Sequence, residues 1–233
     1  MKAGLLDRIR SRAYWRVNFR PLDEGAPQLT LPNCNSVVER SSVSLRGWDY
    51  PHISRRNDDE SGFGPAGEYY EHWVDWGQHI EFWRMYKSSQ YLNYRALWED
   101  WVDSTQHHSD VPPTPRSISV VGTTYIFTEI FEFAYRLARN GLYESGAQIN
   151  ITLENAVDRH LWISEFDRMP FSYERKTGAE RVEIERTLDA RAIAGGSHDL
   201  SVNAVIEFFE NFDWSPDPGI VRSDQQKLLT RSF

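Results

Sequence analysis

Between residues 46 and 52 the chain reads Arg-Gly-Trp-Asp-Tyr-Pro-His. A guanidinium, two large aromatic rings, a carboxylate and an imidazole are gathered at one turn, which a proline stiffens. Such a set can hold a planar or anionic ligand by stacking and by charge-assisted hydrogen bonds. Arg46, Trp48, Asp49, Tyr50 and His52 are therefore the expected ligand-binding residues. The same types also suit a structural role, with Arg46 paired to a nearby acid and Trp48 filling the core.

Two other constellations could support metal-dependent hydrolysis. Asp167 followed by Glu174-Arg175-Lys176 has the order found where two carboxylates hold a divalent ion and a lysine assists the attacking water. This order is common in charged loops, and the segment lies between Pro170 and Gly178. His72 and His79 flank Trp73, Asp75 and Trp76, but zinc needs three or four converging ligands and this spacing does not enforce convergence. His107 and His108 are adjacent and would diverge in an extended segment. Cys34 is the lone cysteine, with no histidine near it in sequence, and reads as an idle thiol. Phosphate-loop, dinucleotide-binding, zincin and nucleophile-elbow motifs are absent. No catalytic residue, metal or cofactor is assigned.

The elements that must position these residues follow from periodicity. Leu5, Leu6 and Ile9 mark a short helix over 3–12. Trp15, Val17 and Phe19 alternate with Arg16, Asn18 and Arg20 in a half-buried strand that Pro21 ends. Residues 21–33 carry three prolines and read as an extended connection, followed by a short helix near 34–41 capped by Asn33 or Asn35. Residues 43–46 read as a strand and 54–68 as a glycine-rich loop. Residues 69–76 lead into two alternating aromatic runs, 80–86 and 91–99, which form a hairpin around Lys87-Ser88-Ser89-Gln90. Five of the nine tryptophans fall between 73 and 101. The segment 103–116 is the one plausible linker, and a two-part chain would divide there. A wide apolar stripe through Ile126, Ile130, Ala134 and Leu137 predicts a buried helix over 123–140. Residues 147–153 and 181–188 alternate as strands, the latter charged and suited to a sheet edge. Residues 156–163 are ambiguous. A helix capped by Ser197 or Ser201 carries Leu200, Ala204, Phe208 and Phe212, Pro216 and Pro218 end it, and 223–230 can form a last short helix.

The expected fold is α+β: a mixed, mostly antiparallel, aromatic-rich sheet packed against two or more amphipathic helices, over one domain spanning 1–233. With 233 residues, 14% aromatic, the chain has too much aromatic area to stay disordered, and no apolar run approaches the ~18 residues of a membrane helix. One cysteine and no secretory apolar core suit the cytoplasm. A net charge of −8 opposes broad nucleic-acid affinity, except through residues 1–20, which carry +5 while residues 67–112 carry −5.

The chain resembles a group of bacterial proteins that share four of the segments above. These are Tyr-Trp-Arg-Val-x-Phe-Arg-Pro at 14–21, Val-Ser-Leu-Arg-Gly-Trp-Asp-Tyr-Pro-His-Ile at 43–53, His-Ile-Glu-Phe-Trp-Arg-Met-Tyr at 79–86 and Phe-Phe-Glu-Asn-Phe-Asp-Trp at 208–214. The resemblance implies a bacterial source and one cooperative fold, often beside mobile or defence genes, and carries no activity. The functional expectation is a non-enzymatic binding or interaction protein, an accessory or sensor subunit of a defence or regulatory system with a protein partner or small ligand. Its alternatives are a metal-dependent hydrolase or nuclease that uses Asp167, Glu174 and Lys176, and a module that stacks sugars or nucleobases on its tryptophans.

Overall fold

The computed structural model describes residues 1–23, 25, 28–102, 116–165 and 168–231. Among them are eleven strands and six α-helices. In chain order the first are α1 (Leu5–Arg10), β1 (Tyr14–Pro21), α2 (Leu31–Ser41), β2 (Val43–Ser44), β3 (Asp49–Tyr50), β4 (Ser61–Ala66), β5 (Tyr69–Trp76), β6 (His79–Tyr86) and β7 (Tyr91–Ala96). After these come β8 (Ser117–Ser119), α3 (Val120–Arg139), β9 (Ala147–Glu154), β10 (His160–Trp162), β11 (Arg181–Leu188), α4 (Ala190–Gly195), α5 (Ser197–Glu210) and α6 (Pro218–Thr230). Seven strands form one antiparallel sheet in the order β11-β9-β1-β7-β6-β5-β4. Strands from both sides of the 103–116 segment thus share one sheet, with β9 hydrogen-bonded directly to β1. The segment itself lies almost wholly outside the described residues.

One sheet face carries the main core. Trp15, Val17 and Phe19 of β1, Trp83 and Met85 of β6 and Tyr91 of β7 pack against Phe127, Ile130 and Phe131 of α3 and Phe208 of α5. The opposite face is covered at one end by α1, whose Leu5 and Ile9 pack on Tyr14, Ile80, Phe82 and Tyr94. The two oppositely charged segments meet here. Lys2 and Arg8 both pair with Asp75, the amino terminus pairs with Glu71, and Arg8 and Arg12 lie over the Trp101 ring. The basic N-terminal segment is held on the acids and rings of the sheet, which leaves fewer of its cations to face phosphate.

Several local expectations are corrected. The α2 helix starts at Leu31, earlier than expected, because Thr30 caps it and Pro32 sits in the first turn, where a missing N–H costs nothing. Six of the fifteen residues in the glycine-rich 54–68 stretch form strand β4. Its Gly62 lies so close to the Trp73 indole that a Cβ would sit 2.6 Å from Nε1, so glycine is the residue that lets the ring pack there. The long helix begins at Val120, capped by Ser119. Pro218 opens a helix instead of ending one, behind an Asp217 cap. Neither Ser197 nor Ser201 caps α5. Gly196 stands at that position, after the short α4, which Asp189 caps.

Candidate functional site

The 46–52 turn joins β2 to β3 and continues beyond them. Its backbone is anchored from the sheet: the His52 N–H donates to Glu81 Oε1 at 2.7 Å, and Trp83 Nε1 donates to the His52 carbonyl at 2.8 Å. Arg46 reaches across to the long helix and makes a two-pronged pair with Glu129, Nε to Oε1 at 2.9 Å and a terminal nitrogen to Oε2 at 2.8 Å. Arg95 of β7 lies 3.8 Å from Glu81 and 3.9 Å from Glu129. Two arginines and two buried acids therefore lock the turn between sheet and helix. Burial pushes the Glu81 carboxyl up, against the pull of Arg95 and of the His52 N–H. Tyr50 is buried, its ring edge-on to Phe133 at 5.8 Å, and burial holds its phenol well above the ordinary value.

The rings of the turn form a stack at the end of the β5–β6 hairpin. Trp48 is stacked on His52 with centroids 4.3 Å apart and on His79 at 4.2 Å, while Trp76 meets Trp48 edge-on at 5.6 Å. Trp76 and His79 are cross-strand partners in the register and both stay exposed. Burial lowers the His52 pKa, and Asp49 opposes that shift. The His79 pKa is held low by desolvation of the ring face stacked on Trp48, with the positive charges of Arg95 and Arg46 adding to the shift. Both imidazoles are thus neutral at neutral pH. The indole Nε1 of Trp48 and the Nδ1 of His52 are shielded from solvent and make no hydrogen bond among the described residues.

With Glu39, Ser42, Ile53, Ser54, Arg55 and Phe63, Asp49 lines a cavity of about 400 Å³ between α2 and the start of β4. The Phe63 wall is steadied by His72, whose ring stacks on it at 5.2 Å.

Of the expected ligand residues, Arg46 is engaged in the charge frame, Tyr50 in the core, and Trp48 and His52 in the ring stack, while Asp49 lines a cavity. Sequence reasoning missed Glu81, Arg95 and Glu129, which only the strand register and the helix packing bring to the turn, and it missed Glu39 and Arg55.

The hydrolase constellations do not assemble. His72 is buried with both ring nitrogens engaged: Nδ1 accepts from the Ser54 N–H at 3.0 Å, so Nε2 donates to Asn35 Oδ1 at 2.8 Å. Burial lowers its pKa to about 3. It faces Trp83, whereas His79 faces Trp76, four residues along the strand, or about 13 Å at strand rise. Glu174 lies 3.8 Å from His160 and Lys176 pairs with Asp158 at 3.0 Å. Asp167, His107 and His108 lie outside the described residues. Among the described residues, no three His, Cys, Asp or Glu side chains come together as metal ligands. Cys34 is buried, and burial pushes its thiol up to about 11. Among the same residues, no helix is long and apolar enough to cross a membrane.

Comparison with protein-family models, with curated proteins and with solved structures finds no match to this chain. The site is therefore read from its own chemistry.

Proposed function

We propose that this is a non-enzymatic binding protein whose recognition surface is the 46–55 segment together with the Trp76–His79 end of the hairpin. One observation carries the reading. The inner side of the turn is fixed by a buried charge frame through Arg46, Glu129, Arg95 and Glu81, while its outer side leaves Trp76, His79 and the Asp49 cavity open to solvent. A surface held rigid before contact loses little conformational entropy on binding, which is the arrangement a recognition site needs. The neutral imidazoles and indoles favour flat or apolar groups at the ring end. The setting that goes with this proposal is a cytoplasmic bacterial accessory or sensor subunit, in a regulatory or defence system, that meets a protein partner or a small molecule.

The test places a photo-crosslinking amino acid at His79, and in a parallel variant at Glu185 on the opposite sheet edge, in the native cell. The expected result is a discrete adduct from position 79 that is lost on Trp76→Ala and absent from position 185. No adduct at 79, or equal adducts at both positions, overturns the reading.

A further inference from the structure

The cavity beside the turn gathers charges of both signs on one wall set. Arg46 nearby is taken up by Glu129, and Arg84 on the hairpin by Glu71. The three charged residues of this cavity, Glu39, Asp49 and Arg55, make no ion pair and no side-chain hydrogen bond with any described residue. They come from three separate segments: the last turn of α2, strand β3 and the extended stretch after Pro51. Asp49 and Arg55 both act on His52, with opposite signs, so both charges lie near that imidazole. The remaining walls are apolar or neutral. Ile53 is buried, Phe63 stays partly exposed, and the Ser54 hydroxyl donates to the Trp73 carbonyl, which leaves its oxygen free to accept.

Two carboxylates and one guanidinium around a space of about 400 Å³ define a ligand by complement. It needs two cationic groups and one anionic group, separated by a short apolar body that can lie on Phe63 and Ile53. We propose that this cavity binds a basic amino acid or an amino-acid-like molecule, with its cationic groups on Glu39 and Asp49 and its carboxylate on Arg55. The inference rests on the binding reading above and names the ligand class for its Asp49 side. Net charge −1 within the cavity disfavours acidic amino acids, and the apolar wall disfavours small inorganic ions.

Isothermal titration with L-arginine and L-lysine tests this, with L-glutamate as the opposite-charge control and agmatine as the analogue that lacks the carboxylate. Saturable binding of arginine or lysine is expected, with none for glutamate. Asp49→Asn and Glu39→Gln, which keep shape and remove charge, are each expected to weaken it at least tenfold at unchanged Tm. Arg55→Ala is expected to abolish the preference for arginine over agmatine. No saturable binding of arginine or lysine overturns the proposal, as does binding that Asp49→Asn leaves unchanged. If titration fails while the adduct at position 79 persists, the ligand class falls and the binding reading stands. If both fail, both fall.

Discussion

The two sides of the 46–52 turn use the same residue types in opposite ways. On the inner side, Arg46, Arg95, Glu81 and Glu129 are drawn into the space between the sheet and α3, and each charge faces an opposite one. On the outer side, Glu39, Asp49 and Arg55 surround a cavity and face no partner among the described residues. Taking a charge out of water is costly unless another charge and hydrogen bonds replace the lost hydration. Buried charges are therefore paired by necessity. Charges that remain wet are free to stay unpaired, and only these are available to a ligand. The inner group specifies where the turn sits, and the outer group determines what it can meet.

That difference can be broken most severely from the inside. Glu129→Ala leaves Arg46 and Arg95 without their shared carboxylate under the helix, and a loss of roughly 3 kcal/mol is expected in urea unfolding. A loss below about 1 kcal/mol would mean that water replaces the acid and that the frame is not a frame.

A second buried acid gives a pH signature. Glu99 is buried and accepts from the Ser119 N–H at 2.9 Å, while its other oxygen has no hydrogen-bond partner among the described residues, and burial raises its pKa to about 7. The folded protein then binds a proton that the unfolded chain has already released, so this group's contribution falls as pH rises from about 4.5 to about 7 and stays lost above. Glu99→Gln is expected to remove that slope, leaving the variant more stable than the parent at pH 8 by roughly 1–3 kcal/mol and equal to it near pH 4. Parallel unfolding curves at the two pH values check this, and an unchanged difference between them would contradict it.

Gly62→Ala forces a methyl against the Trp73 indole and is expected to cost about 1–3 kcal/mol, read as a lower Tm together with a shifted Trp emission. This change disturbs the β4 edge that supports Phe63, and so it sharpens the comparison by loosening the cavity wall without altering a charge.

How much of this was legible in the sequence depends on the range of the interactions. Strands β1, β9 and β11 and helix α3 show their period because one face of each is buried, and burial writes itself into residue spacing. Strand β4 does not, since Gly62, Gly64 and Pro65 read as loop until Trp73 is seen to need the space. The start of α2 was hidden by Pro32, whose effect reverses in a first helical turn. At the site, the turn stood out because five chemically active residues are adjacent in the chain. Its frame did not, because Glu81, Arg95 and Glu129 lie from about 30 to about 80 residues downstream and only sheet register and helix packing bring them in. Glu39 and Arg55 were read as an ordinary helix end and a loop, since nothing local distinguishes a charge that faces a cavity from one that faces bulk water.

The most direct measurement of the central claim is equilibrium urea unfolding of Glu129→Gln and Asp49→Asn side by side, since both replace a carboxylate by its amide at the same turn. The first is expected to lose at least 2 kcal/mol and the second to stay within about 0.5 kcal/mol of the parent. Equal losses, or a larger loss for Asp49→Asn, would show that the outer charges hold the fold as the inner ones do, and the division between frame and recognition surface would be gone.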